Sequence, residues 1–303
     1  MHLLDPDQQP DAIARAADRL VAGGLLALPT ETVYGLGARA DDDAAVARIF
    51  AAKGRPADHP LIVHVPNVHA AYGFADAFPP SAQRLAAAFW PGPLTVIVPR
   101  KAGVATAAAG GHDTIGLRCP DHPVAMALLE ACALQDVMGV AAPSANRFGR
   151  ISPTRAEHVI EEFEGRGEGL DEVWVLQGGA CEVGIESTII DCSRAHPVLL
   201  RPGRLSRAEI EAVVGGPVAW SRPEAPDPSA PAASGTLLAH YAPRARLRLL
   251  PTDLLSADLD GVEQRLDAQL PASPVIGVYS RSLWAWHKPH PGVLHRSMPA
   301  DAA

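Results

Sequence analysis

The residues able to do chemistry collect at the ends of short apolar runs. Pro29-Thr30-Glu31-Thr32-Val33-Tyr34-Gly35-Leu36-Gly37 follows the run 25–28 directly and offers hydroxyls, a carboxylate and open backbone to a small polar ligand. Lys53-Gly54-Arg55-Pro56 sets two cations at the end of a capped helix. A lysine there also complements the helix dipole. Arg55, however, lies beyond the helix end between Gly and Pro, and two cations held in this way suit phosphate groups. Arg118 ends the run 114–118 just before Cys119-Pro120, a place from which a guanidinium can take a carboxylate with both arms. Pro143-Ser144-Ala145-Asn146 again follows an apolar run, and Ser152-Pro153-Thr154 precedes a helix, where Ser152 and Thr154 also read as caps. Gly184-Ile185-Glu186-Ser187-Thr188 opens one strand and Arg201-Pro202-Gly203 closes the next. His64 interrupts Leu61-Ile62-Val63-His64-Val65 and reads equally as a satisfied core residue or a ligand contact.

Lys53, Arg55, Arg118 and Arg201 together make a positive site among hydroxyls and amides. That mixture suits an anionic small molecule carrying phosphates, with neither a protein nucleophile nor a protein metal cage. Phosphate chemistry of this type rests on positioning and charge stabilisation, with magnesium carried on the nucleotide. The standard nucleotide signatures fail. There is no G-x-x-x-x-G-K-[ST], and Gly35-Leu36-Gly37 with Ala40 sits seven residues past its strand, too far for a dinucleotide turn. No G-x-S-x-G elbow, H-E-x-x-H pair or kinase set is present.

The elements that must position these residues alternate up to about residue 215. Strands are expected at 25–28, 61–65, 94–98, Thr114–Arg118, 138–142, 173–176, 187–191 and Val198–Arg201. Helices are expected from an Asp41–Asp43 cap to Lys53, then over 80–90, 122–134, 154–163 and 206–214. Strands mixed with helices indicate an α/β sheet domain. Five prolines at 217, 223, 226, 228 and 231 then mark an extended linker over 216–235. Beyond it, 247–250 (strand), 259–270 (helix) and 275–279 (strand) form one βαβ-like unit.

The balance of the 303 residues narrows the classes. Acidic residues outnumber basic ones 34 to 26, giving −8, whereas a protein that coats nucleic acid leans the other way. Hydrophobic residues at 48% exclude wholesale disorder. No run approaches the roughly 18 apolar residues of a membrane span. Cys119, Cys132, Cys181 and Cys192 show no metal-ligand spacing and read as reduced core thiols of a cytoplasmic protein.

Taken together, the segments 29–37, 53–56 with 61–65, 143–146 with 152–154, and 184–188 with 201–203 resemble the YrdC-like threonylcarbamoyl-adenylate synthases. The resemblance covers about 8–215. The piece Ser234-Gly235 … His240-Tyr241-Ala242-Pro243-Arg244 is similar to the connector of the longer, Sua-type members. It implies a catalytic domain over 8–215, an α/β fold with a twisted mixed sheet around a concave cavity. A linker over 216–245 would fold over the site, and 246–303 would form a smaller Rossmann-like domain. The implied reaction joins L-threonine, bicarbonate and ATP into L-threonylcarbamoyl-AMP and pyrophosphate, with Mg²⁺ carried by ATP. The product would serve threonylcarbamoyladenosine formation at position 37 of tRNAs reading codons that begin with A. A separate transferase complex performs that second step and, with tRNA, is the implied transient partner.

Carried over by position, threonine falls to Thr32, His64, Arg118, Ser187 and the Ala142 backbone, with Arg118 on its carboxylate. ATP falls to Lys53, Arg55, Thr114, Ser144, Asn146, Ser152 and Arg201, with Tyr241 closing over it, and Lys53 and Arg55 carry the catalytic charge. At position 59 many members have asparagine where this chain has His59, so protonation near pH 6.5 is expected to enter the pH dependence. Two other classes compete: an RNA-binding module, and a carbamoyl-transfer enzyme, whose accompanying zinc-type cysteine pairs are not seen here. The last segment is short for a Rossmann-like domain, and the expectation is a C-terminal sheet left uncovered along one edge.

Overall fold

The computed structural model describes residues 1–165, 173–221, 231–235, 276–280 and 293–297. The chain divides into two compact units, Met1–Pro243 and Arg244–Ala303. In the first, β1 (His2–Leu4) and α1 (Ala12–Val21) lead into β2 (Leu26–Leu28) and β3 (Gly35–Arg39). There follow α2 (Asp43–Lys53), β4 (Ile62–His64), α3 (Val68–Ala71), α4 (Pro80–Phe89), β5 (Leu94–Pro99) and β6 (Thr114–Arg118). After α5 (Pro123–Ala133), β7 (Val140–Ala141), α6 (Ala156–Phe163) and β8 (Trp174–Leu176) come β9 (Thr188–Asp191), β10 (Val198–Arg201), α7 (Arg207–Val214) and β11 (Ala219–Trp220).

Eleven described strands make one mixed sheet in the order β1-β8-β2-β3-β7-β4-β6-β5-β9-β10-β11. Parallel pairs (β4 with β6, β5 with β9) alternate with antiparallel ones (β2 with β3, β5 with β6). On one face, α1 and α5 bury Leu20, Leu128 and Leu129 against Leu26, Leu28 and Leu176. On the other, Val46, Ile49 and Phe50 of α2 and Leu85 of α4 pack with Val63, Val96 and Leu117. Beside these cores Ile62, Ile97, Ile189 and Leu200 form a third, small cluster that the segment 231–235 reaches through Ala233. In the second unit, β12 (Ile276–Ser280) pairs in parallel with β13 (Val293–Ser297).

The structure departs from the sequence reading at several places. Helix α1 was not expected, although its buried Ala12, Ala16, Ala17 and Leu20 recur at helical spacing opposite Arg15, Asp18 and Arg19. The end of the segment 29–37, for which no strand was expected, runs into strand β3 between β2 and β7. Its antiparallel pairing with β2 leaves no βα turn for a dinucleotide. Inside the expected linker, Val218 is buried and β11 extends the sheet beside β10. The expected strand 247–250 and helix 259–270 lie outside the described residues, as does Tyr241.

Candidate active site

Each polar segment is delivered to one cavity by the end of an element. Asp42 caps α2 by accepting from the N–H groups of Ala44 and Ala45, and the helix buries Val46, Ile49, Phe50 and Lys53 along one stripe. Gly54 ends it in the left-handed conformation (φ 61°), which turns Arg55 out of the helical path. Strands β4 and β6 run in register with His64 opposite Arg118. After β7, Ser144 bridges Gly35, while Leu36 N–H donates to the Pro143 carbonyl at 2.7 Å and Ala145 N–H to that of Tyr34.

The cavity opens to solvent, and the space within it and at its mouth amounts to about 440 Å³. Its wall carries Thr32, Arg55, His64, Arg118, Ala142, Ser144 and Arg201, all expected from the sequence, together with Thr30, Glu186, Ser234 and Gly235. At one end Arg118 is 3% exposed, and its Nη1 donates to Thr32 Oγ1 at 2.8 Å. Thr32 Oγ1 in turn lies 2.9 Å from Thr30 Oγ1. Arg118 Nη2 stands 2.6 Å from Glu31 Oε1, and both side chains are almost wholly buried. Burial and the neighbouring Arg118 cation push His64 down to about 3, so its ring is neutral at ordinary pH. Its Nδ1 is buried and has no hydrogen-bond partner among the described residues.

At the other end stand Arg55 and Arg201. Arg201 donates through Nε and Nη2 to the Ser187 carbonyl and from Nη2 to Ser187 Oγ. Ser187 is fully buried and shares a 2.8 Å hydrogen bond with Thr95, so it supports Arg201 from behind the wall. Glu186 Oε2 lies 3.8 Å from Arg201, and Glu186 Oε1 accepts from Ser152 Oγ at 2.7 Å. The segment 231–235 spans this end: Arg55 Nη2 donates to Ser234 Oγ at 3.0 Å, and Ser234 Oγ donates to the Pro60 carbonyl.

Some expected residues stand off the wall. Lys53 is 2% exposed and donates from Nζ to the carbonyls of Ser144 and Asn146, so its charge is spent on the backbone of the Ser144 loop. Burial, reinforced by the Arg55 cation, pushes its ammonium down to about 7. Asn146 donates from Nδ2 to the carbonyls of Arg147 and Arg150, bracing the same loop. Ser152 does not cap the helix that follows, whose N-cap is Arg155; it holds Glu186 instead. Thr114 opens β6, at the opposite end from Arg118. The His59 ring packs 5.5 Å from that of Phe148, and burial and Arg55 both lower its pKa. Its change of charge therefore falls below the pH expected for a free histidine. Glu31, Glu186 and Ser234 were missed as contributors, although each sits inside a segment the sequence singled out. Burial raises all four thiols, Cys119 and Cys181 to about 11 and Cys132 and Cys192 to about 12, which leaves them poor nucleophiles.

Fold and site together define an α/β protein whose mixed sheet carries an arginine-lined cavity for a small polar ligand. Residues 18–203 match the family described as "Telomere recombination", which groups Sua5, YciO and YrdC proteins, and 205–296 match "Threonylcarbamoyl-AMP synthase, C-terminal domain". The chain belongs to the Sua5/YciO/YrdC family. It is 42% identical over 238 residues to the threonylcarbamoyl-AMP synthase of Bacillus subtilis, covering 78% of this chain and 66% of the relative. To that of Pyrococcus abyssi it is 48% identical over 200 residues, covering 66% and 56%. The chain thus spans somewhat less than two thirds of the length of these two relatives. A shorter putative synthase of Mycobacterium tuberculosis is 39% identical over 212 residues and is covered to 93%. Among solved structures, P. abyssi Sua5 complexed with L-threonine superposes with a TM-score of 0.81 at 36% identity, over 97% of this chain and 82% of that one. Escherichia coli YciO shares the fold, with a TM-score of 0.57 at 23% identity over 69% and 98%. No helix among the described residues is long and apolar enough to cross a membrane.

Proposed function

We propose that this chain joins L-threonine, bicarbonate and ATP into L-threonylcarbamoyl-AMP with release of pyrophosphate. The observation that carries the reading is the division of one cavity wall into two ends. Arg118, Thr32 and His64 form a compact polar end, and Arg55 and Arg201 form a cationic one. The similarity to synthases of that name and to a Sua5 structure holding L-threonine supports the same reading.

In this reading Arg118 takes the threonine carboxylate, with Thr32, the neutral His64 and the Ala142 backbone around the rest of the amino acid. Arg55 and Arg201 face the phosphates, and a divalent cation arrives with the nucleotide as part of the substrate. Lys53 and Asn146 act through the Ser144 loop, Ser152 through Glu186, and Ser187 through Arg201. His59 and Thr114 serve the outer part of the nucleotide, and Tyr241 closes over it. Threonine enters as a zwitterion, its ammonium gives a proton to solvent, and the free amine and bicarbonate form a carbamate and water. A carbamate oxygen then attacks the α-phosphorus, and the bond to pyrophosphate breaks. Holding the two partners in one cavity supplies about 7–11 kcal/mol of the barrier through orientation.

The proposed organisation places catalysis in 8–215, the closing segment in 216–245 and a second domain in 246–303. The product is an activated carbamate, which a tRNA threonylcarbamoyl-transferase acting in the cytoplasm would consume at position 37. The test is pyrophosphate release from ATP by the purified chain with bicarbonate and Mg²⁺. Release that depends on L-threonine supports the reading. Release that depends instead on carbamoyl phosphate would assign carbamoyl transfer.

A further inference from the structure

Arg118 and Glu31 meet at 2.6 Å with both side chains almost wholly buried. Beyond that ion pair, neither Glu31 oxygen has a hydrogen-bond partner among the described residues. Glu31 is also fixed in place, because its own carbonyl accepts from Val183 N–H at 2.8 Å. The guanidinium expected to bind a carboxylate is therefore already charge-balanced before any ligand arrives. The other charged candidate at this end, His64, is neutral. At the far end the arrangement is looser: Glu186 on the wall lies 3.8 Å from Arg201.

Charge in a desolvated site must be matched by the ligand, because an uncompensated buried charge is costly. A simple carboxylate entering beside the Arg118–Glu31 pair would leave one net negative charge. A zwitterion would leave none, since its ammonium supplies the missing positive charge. We propose that Glu31 is a specificity-determining residue that tunes the Arg118 end to accept an amino-acid zwitterion and to turn away simple carboxylates. The proposal rests on the reading that Arg118 takes the carboxylate of an amino acid. It adds that selectivity comes from an anion that is not itself on the cavity wall.

The test compares L-threonine with 3-hydroxybutyrate, the same molecule lacking the amino group, by calorimetry on the full chain. In the wild type 3-hydroxybutyrate binds at least about tenfold more weakly than threonine. In Glu31→Gln, which keeps the shape and removes the charge, the ratio of the two affinities narrows by about tenfold. Glu31→Asp, which keeps the charge, retains most of the wild-type ratio. A purely structural role for Glu31 moves both affinities together, and an unchanged ratio in Glu31→Gln overturns the proposal. Equal binding of the two ligands to the wild type overturns it without any variant. If the wild type binds neither ligand, the functional reading falls and the proposal falls with it; tight threonine binding with no discrimination sinks the proposal alone.

Discussion

Arg201 donates from Nη1 to the main-chain oxygen of Ser234 at 2.8 Å, while Arg55 donates to the hydroxyl of the same serine. The two arginines proposed for phosphate thus share one partner on the segment 231–235. The Arg201 contact uses backbone and survives any side chain at 234, so Ser234→Ala removes the Arg55 contact and the Ser234–Pro60 hydrogen bond, while Arg55 keeps its own bond to the Pro60 carbonyl. With one of the contacts that hold Arg55 removed, inorganic pyrophosphate is expected to bind about 2–10-fold more tightly, the worth of one hydrogen bond. Displacement of a fluorescent nucleotide by pyrophosphate measures it, and unchanged or weaker binding contradicts the competition.

The burial of the Arg118–Glu31 pair determines how variants of Arg118 must be read. Arg118→Met leaves the Glu31 carboxylate buried and unpaired, at a cost of about 3–5 kcal/mol. Part of any activity loss in that variant is therefore lost fold. The double variant Arg118→Met/Glu31→Leu removes both charges and is expected to recover most of the stability while remaining unable to use threonine. Urea unfolding of the single and double variants decides, and additive losses would contradict the account.

Lys53 loses its charge near pH 7 in the folded chain, against about 10.4 for a free lysine. Between those values the unfolded chain binds a proton that the folded chain does not, so this group adds stability as the pH rises from 7 toward 10. Below pH 7 both states hold the proton, and its burial is at its most costly. Wild type is expected to gain stability relative to Lys53→Met over that window, measured by denaturant midpoints at pH 7, 8.5 and 10. A parallel pair of curves would show that the buried ammonium is not the titrating group.

His64 works in the opposite window. Burial and Arg118 hold its folded pKa at about 3, below the unfolded value near 6.5. Its contribution is complete above pH 6.5 and declines as the pH falls toward 3, because only the unfolded chain takes up the proton. His64→Gln is expected to flatten the acid limb of the stability profile between pH 6 and 4. A limb as steep as that of the wild type would assign acid sensitivity elsewhere.

A Cβ at Gly203 would lie 2.4 Å from Thr188 N and 2.6 Å from Glu186 O. These are backbone atoms of the segment that sets Ser187 behind Arg201. Gly203→Ala must therefore move that segment, and it is expected to raise the KM for ATP more than that for threonine while lowering the melting temperature. Equal changes in the two KM values would mean that the disturbance does not stay at the Arg201 end.

Much of the fold was legible because apolar runs and turn residues punctuate it clearly. Thr114–Arg118 and Val198–Arg201 match the expected strands residue for residue, and the Asp42 cap and Gly54 stop bound α2. Helix α1 was legible in the spacing of Ala12, Ala16 and Leu20 against Arg15, Asp18 and Arg19 but was passed over, and only its packing on α5 is beyond local sequence. Strand β3 was hidden by Gly35 and Gly37, since glycine is depleted in strands and reads as a turn. In the cavity, residue type and position pointed to the cations and hydroxyls but not to their pairing. Nothing local to Glu31 or Arg118 indicates that they meet, and Lys53 is sent to the Ser144 and Asn146 carbonyls by a loop some ninety residues away.

Those separations also bear on how the cavity comes into being. Thr32 meets Arg118 across 86 residues, and Arg55 meets Ser234 across 179. Contacts so distant along the chain form late, because each closes a long loop before it repays the entropy lost. A nascent chain emerging from the ribosome can therefore build its early strands and α2 well before it owns a ligand site. The cavity wall is complete only after Ser234 has been made. Competence to bind at this wall thus waits on the segment 231–235, the last of its described contributors to be synthesised.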